Sequence, residues 1–328
     1  MKRSRSICVI LALCVMVSTS ACALPVHMRT IQVPVPVPAI TKEAAKRVLA
    51  AYQAGKGRAD VQRSTALLHK CEARSMAAID AARYRIESFD HADSKTVRVV
   101  YVRPRFYIPR LASYPRWFVV QTARSDDKDA KAIYLVFEKS SAVDDGWRVT
   151  FAPTSYKGAQ LPHVTLDGQG YAATLSPGSP VATPPRNLSS AHANILTRGI
   201  NSGDAGQFAL DRFTANLRKE NTTEATELRA VADARYQYRP QRGAVAYTLR
   251  SSDGGVLVFY VLESTSTYKT FPKTLLRPLP RVQALAAGPP FVTHASVTHL
   301  DQFAAWIPKT GKVTVLAHEG DLTAAKLS

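Results

Sequence analysis

An α+β fold in two similar domains, each placing helices before a curved antiparallel sheet, is what the 328-residue sequence predicts. Helical periodicity opens each half, apolar or alternating runs follow it, and a proline-rich stretch separates the halves. The length left after a short leader suits two domains.

The first domain is expected over 41–173. Thr41 can cap a helix that lays Ala45, Val48, Leu49 and Tyr52 on one face, with Gly55 and Gly57 as its stop. A second helical stretch covers roughly 64–82. Strands are expected at 96–102, 116–122 and 133–139, then at 147–151 after the turn Asp144-Asp145-Gly146. Residues 174–188 carry Pro177, Pro180, Pro184 and Pro185 and are expected as a linker with no packed element. The second domain, 189–328, starts over with helices at 189–197 and 204–217, the latter bearing Phe208 and Phe213. Strands follow at 245–250, 256–263, 291–298 and 313–318. "YLVFEKS" at 134–140 and "LVFYVLES" at 257–264 echo one another as matching strands. Helices before antiparallel strands in both halves resemble cystatin-like and nuclear transport factor-like folds, an analogy of architecture that carries no function.

Ahead of both domains stands an export leader, residues 1–22. Its parts are a basic head (Lys2, Arg3, Arg5), an apolar run from Ile7 to Val17 and a small-residue ending. The run is too short to span a bilayer, which takes about 20 apolar residues. Two endings are open. Ala21-Cys22-Ala23 suits plain cleavage after Ala23 and secretion. Thr19-Ser20-Ala21-Cys22 suits a lipobox, in which Cys22 is lipidated and becomes the first mature residue, though Thr19 stands where an aliphatic residue is usual. The spacer 23–40 ends in "VPVPVPAI", whose alternate prolines exclude helix and favour polyproline II. At about 3.1 Å per residue it would hold the first helix roughly 50 Å from a membrane-held Cys22. Residues 29–33 equally suit a first strand.

The chain carries 43 Lys and Arg against 25 Asp and Glu, a net charge of +18, with no acid before Glu43. On an exported chain this points away from nucleic acid and toward anionic envelope polymers or lipid headgroups. A dispersed basic surface that is merely solvated gives the same count. Cys8 and Cys14 belong to the leader, so lipidation of Cys22 leaves Cys71 alone and no intrachain disulfide. Cys71 follows Leu67 and Leu68 at helical spacing, as a buried small apolar residue would.

Chemistry is hard to find. Ser252-Asp253-Gly254, Ser266-x-x-Lys269 and Lys309-Thr310-Gly311 imitate the three motifs of a penicillin-binding enzyme, but they come in the wrong order. Each also suits a hairpin or turn. His294 and His299 are five apart in an expected strand, which sends them to opposite faces and denies them a shared metal. Asp144-Asp145 and Glu319-x-Asp321 suit turn or surface carboxylates. No metal-ligand set, cofactor motif or catalytic site is expected.

One stretch stands out. "RPRFYIPRLASYPRWF" at 103–118 sets Arg103, Arg105, Arg110 and Arg116 among Tyr107, Tyr114 and three further aromatics. Arg supplies planar donors for phosphate or carboxylate, and aromatic rings supply area. Those six residues are the expected ligand or surface contact. Trp117 and Val119 would face one way and Arg116 and Phe118 the other, so the aromatics are not all expected in the core.

The leader followed by Leu24-Pro25-Val26, "LAAYQAGKGRAD" at 49–60, "PRFYIPR" and "YPRWFVV" within 103–120, "DGGVLVFY" at 253–260 and "GDLTAAK" at 320–326 are together similar to a family of predicted actinobacterial lipoproteins carrying a domain of unknown function. The resemblance spans most of the chain past the leader. It implies an exported protein held on the outer face of the cell membrane through lipid on Cys22, and brings no activity or cofactor. The expected function is binding or scaffolding in the cell envelope without catalysis. The alternative is a small-molecule binder or hydrolase with a pocket in one of the sheets. A deep cleft with convergent polar groups favours the alternative, and a shallow basic face favours the first.

Overall fold

Thr41 accepts the Ala44 amide at 3.2 Å and starts helix α1 (Lys42–Gln62). The computed structural model describes residues 35–90 and 99–328, apart from 130, 145, 176–177, 210 and the side chain of 200. The leader, Cys22 and most of the spacer lie outside the described residues. The spacer's last residues are tied down: β1 (Val37–Pro38) pairs with β3 (Arg110–Leu111), and the Ala39 amide donates to the Pro109 carbonyl.

Helix α1 does not stop at Gly55 and Gly57 but runs through both. Gly55 lies against Cys71 of α2 (Thr65–Cys71), so its missing side chain lets the two helices close up. That packing offsets the roughly 1 kcal/mol a mid-helix glycine costs. The single stretch expected at 64–82 is two helices, α2 and α3 (Arg74–Phe89). Between them Glu72 is extended and the Ala73 amide donates to the Val149 carbonyl. Cys71 is buried as expected, and burial pushes its thiol up to about 12, so it is inert.

The first half then gives β2 (Tyr101–Tyr107), β4 (Arg116–Arg124), β5 (Ile133–Lys139), β6 (Arg148–Phe151) and β7 (Thr154–Ser155). In the second half α4 (Pro185–Arg198) and α5 (Arg212–Leu228) precede β8 (Ala232–Pro240), β9 (Tyr247–Arg250) and β10 (Val256–Thr270). A short helix α6 (Pro280–Gln283), β11 (His294–Ile307) and β12 (Thr314–Leu327) complete the chain.

Within 35–328, the halves expected as separate domains share one antiparallel sheet. Its order is β2-β4-β5-β7-β12-β11-β10-β8, with β6 on β5 and β9 on β10. Residues 35–328 form one compact unit. The expected linker 174–188 is partly structured. Leu175 and Val181 pack on the second half's core, Thr183 is buried, and α4 begins at Pro185, whose fixed φ suits a first helical turn. Both halves follow one plan, β2-β4-β5-β6 matching β8-β10-β11-β12. Position in the sheet therefore pairs β10 with β4, so the echo between 134–140 and 257–264 is one strand out of step.

The sheet curls until its halves face each other. Trp117, Tyr134 and Phe151 of the first half meet Tyr247 and Phe259 of the second, with Trp117 and Tyr247 centroids 5.3 Å apart and Tyr134 and Phe259 5.5 Å apart. Alternation sends Phe118, Val120, Leu135 and Phe137 to the other face, under α1 and α2. Trp117 and Phe118 are thus both buried, because the sheet is covered on both sides. Alternation therefore keeps neither Trp117 nor Phe118 out of the core, although Tyr114 is exposed and the aromatics of 103–118 are not all core, as expected.

On the outer face of the second half, His192 of α4 is fully buried. The Tyr260 hydroxyl donates to its Nδ1 at 2.8 Å, its Nε2 donates to Thr214 Oγ1 at 2.9 Å, and that hydroxyl donates to Asp211 at 2.6 Å. Burial, and secondarily the His318 charge, hold its imidazole down at about 3. Only the unfolded chain then takes up this proton below about pH 6.5, so stability falls as pH falls through the window from 6.5 to 3. Urea denaturation should show about 2 kcal/mol lost through this group between pH 7 and pH 5. His192→Gln should start weaker at pH 7 and lack that acid slope.

Candidate functional site

Helix α5 starts where Asp211 Oδ1 accepts the Thr214 amide at 2.8 Å, and Thr214 is its one buried residue. Its first turns pack Phe213 and Leu217 on the core, and beyond them the apolar stripe gives out where the helix roofs a cleft. Below it, alternation on three strands aims one set of side chains upward: Tyr238 from β8, Ser264, Ser266 and Tyr268 from β10, and Ala295, Val297, His299 and Asp301 from β11. Residues Leu276 to Val282 close one side. The cleft holds about 900 Å³, within the range of small-molecule sites.

Its walls are mostly apolar, and its polar groups are ordered by one another. The Tyr236 and Tyr268 hydroxyls both donate to Glu224 Oε2, at 2.6 and 2.9 Å. Asn221 donates to the Tyr238 hydroxyl at 3.1 Å. Burial first, then the Glu224 carboxylate, keeps the Tyr236 and Tyr268 hydroxyls protonated. His299 is pushed down by burial against the opposing pull of Asp301 and Asp321. Asp301 is paired with His318 at 2.9 Å, and a side chain at Gly320 would strike both partners.

The matching position of the first half, between α1, α3 and the ends of β2, β4 and β5, holds only about 130 Å³. Ion pairs occupy it. Asp80 lies between Lys56 (2.9 Å) and Arg83 (2.8 Å), and Lys56 also pairs with Asp60. Arg83 crosses to Glu319 of β12 at 2.9 Å and to Asp321 at 3.6 Å, and Asp321 in turn binds Arg281 of α6. Glu319 and Asp321, expected as surface carboxylates, are half-buried and add an ion-paired link between the halves to the shared sheet. Their partial burial comes from α3 crossing β12.

The six expected contact residues are not gathered into one site. Tyr107 is buried and donates to Gln121 at 2.8 Å. Arg110 is engaged by Asp167 at 3.0 Å, by Gln169 and by the Tyr171 ring at 4.6 Å. Arg116 stacks over the Tyr114 ring at 5.2 Å. Arg103, Arg105 and Tyr114 are exposed.

The imitation of penicillin-binding motifs also comes apart. Asp253 is spent inside its own turn, accepting the Gly255 amide at 2.9 Å, and the Lys309 side chain packs over Gly254 of that turn. Ser266 lies ten residues along β10 from Val256, about 33 Å away. His294 and His299 take opposite faces of β11, and only His299 lines the cleft.

Sequence reasoning missed Glu224, Tyr236, Tyr238 and Tyr268. A usable signal was present: Tyr236 and Tyr238 alternate in "RYQYRP", and Asn221 and Glu224 share a helix face.

A repeated helix-then-sheet unit, one copy filled by ion pairs and the other open as a cleft, is the class of protein this geometry defines. The chain belongs to the family described as Domain of unknown function (DUF8094), whose model matches residues 36–327. It is 29% identical over 316 residues to an uncharacterized lipoprotein of Streptomyces avermitilis, covering 88% of this chain and 86% of that one. An uncharacterized lipoprotein of Streptomyces coelicolor is 24% identical over 293 residues, with the same coverages. No solved structure matches the chain. The actinobacterial lipoprotein resemblance noted in the sequence is thereby shown, and it supports an exported, membrane-anchored protein.

Proposed function

We propose that this is a lipid-anchored binding protein on the outer face of the cell membrane, attached through Cys22, which holds a small and mostly apolar ligand without transforming it. The observation that carries this reading is the cleft of about 900 Å³ under α5, apolar on its walls and polar at a few fixed points. Two tyrosine hydroxyls share Glu224 Oε2, which leaves Oε1 as an acceptor for a ligand hydroxyl or ammonium. Among the described residues, no histidine is hydrogen-bonded to the cleft's serines, Ser264 and Ser266, to act as a base, which favours holding over hydrolysis. The relatives' description as lipoproteins supports the anchor. Exposed Arg103, Arg105 and Tyr114 serve in this reading as a peripheral contact for anionic envelope polymers.

Titration with the uncharged fluorophore N-phenyl-1-naphthylamine tests the cleft. Wild type should bind it with a blue shift, and Ser266→Trp, which fills the floor, should weaken binding at least about tenfold at an unchanged melting temperature. Equal binding by both proteins would remove the cleft as the site.

A further inference from the structure

Between Glu263 and Asp301 the chain has no acidic residue, and Lys269, Lys273, Arg277 and Arg281 recur at every fourth position. After β10 the chain turns at Phe271–Thr274, with Lys273 at φ 66°, and from Lys273 to Leu279, ahead of α6, its exposure alternates. Phe271, Lys273, Leu275, Arg277, Leu279 and Arg281 are exposed, while Thr274, Leu276 and Pro278 are half-buried. The inward residues pin the strip in place. Thr274 Oγ1 donates to the Val231 carbonyl at 2.9 Å, and Leu276 and Val292 exchange backbone hydrogen bonds at 2.9 Å. Phe291 is exposed one residue before that bridge. Among the described residues, twelve large apolar side chains are exposed, and four of them (Phe271, Leu275, Leu279, Phe291) fall on this one loop. Such clustering marks an interaction surface, which scattered exposed apolar residues do not.

We propose that this loop docks on an anionic lipid bilayer, with the four apolar side chains entering the headgroup region and Lys273 and Arg277 meeting lipid phosphates. Charge decides the occupant. Apolar side chains interleaved with cations, on a stretch free of carboxylates, match an anionic lipid surface better than a mixed-charge protein face. Arg281 is committed to Asp321 and is left out of the contact. Leu276 to Val282 also wall the cleft, so docking sets the cleft mouth at the membrane surface. The contact is distinct from the Cys22 anchor and from residues 103–118, and it stands whether or not the cleft holds a ligand.

The test is co-sedimentation of the secreted full-length Cys22→Ser chain with vesicles of mixed phosphatidylglycerol and phosphatidylcholine, and of phosphatidylcholine alone. The chain should bind the anionic vesicles more tightly, and added salt should weaken that binding. Lys273→Gln with Arg277→Gln should lose about tenfold or more on anionic vesicles and little on neutral ones. Phe271→Ser, Leu275→Ser, Leu279→Ser and Phe291→Ser together should lose at least about tenfold on both. Val61→Ser with Val143→Ser, exposed apolar sites elsewhere, should change nothing. Wild-type failure to bind anionic vesicles, or a fourfold variant that binds like wild type, overturns the proposal. So does a fourfold variant that differs only by turning a dimer into a monomer, which makes a second copy the occupant. If the fourfold variant unfolds, the Lys273/Arg277 pair decides alone.

Discussion

Phe259→Ala should lower the unfolding free energy by about 3–5 kcal/mol. The ring is fully buried and lies edge-on to Tyr134 at 5.5 Å and Phe151 at 6.5 Å, both from the other half of the sheet. Its removal opens a cavity where the two half-sheets meet, and neither half can collapse into it without moving the other. Urea denaturation followed by fluorescence and by circular dichroism should therefore give one coincident transition, displaced as a whole. Two separated transitions, with only the second half's moved, would mean that the halves fold independently despite their common sheet.

Lys56→Met should cost a similar amount, about 3–5 kcal/mol at pH 7, because it removes one partner of a buried ion pair. Asp80 would keep Arg83, but Asp60 and Glu72 would lose the cation that holds three carboxylates together. Glu72 is raised already, by burial and then by the Asp80 charge, with its carboxylate accepting the Tyr52 hydroxyl at 3.0 Å. Without the Lys56 charge, Glu72 should hold its proton still more firmly in the folded state, at a pH where the unfolded chain has released it. The folded state then binds more protons, so the variant's stability should rise as pH falls from 7 toward about 4.5. Denaturation midpoints at pH 7 and pH 5 measure this. A variant equally weak at both would show that packing of the lysine stem, not its charge, matters.

The core strands were the legible part of this molecule. Strand β5 occupies 133–139 as expected, and β4 and β6 depart from expectation by no more than two residues, because strands buried on both faces are continuous apolar runs. The edges were not. Strand β8 escaped notice because Asp233, Arg235 and Arg239 point outward and its inner face is carried by two small alanines, Ala232 and Ala234, with Tyr236 and Tyr238. Strands β10 to β12 run well past their expected ends, into polar residues that line a cleft or pair across long ladders. Helix α5 is the clearest case. Phe208 and Phe213 drew the expected helix to 204–217, whereas the real one extends to Leu228 through "RKENTTEATEL". A helix that roofs a cleft need not bury an apolar stripe, so the property that hides it from periodicity also marks the site. Glu224 and Tyr268 are 44 residues apart and meet only through strand pairing, which no local pattern states.

Residues 103–118 teach the opposite lesson. Arg and aromatic residues in one run suggested a surface, yet folding spends Tyr107, Trp117 and Phe118 on the core and Arg110 on Asp167. Composition indicated what the stretch could bind, and burial removed half of it.

The most direct test of the cleft as the ligand site is a crystal structure of the chain isolated from an actinobacterial host. Electron density for a bound molecule is expected beneath α5, with a polar group within hydrogen-bond reach of Glu224 Oε1. A ligand bound instead against Arg103, Arg105 and Tyr114, above a cleft containing only water, would contradict it.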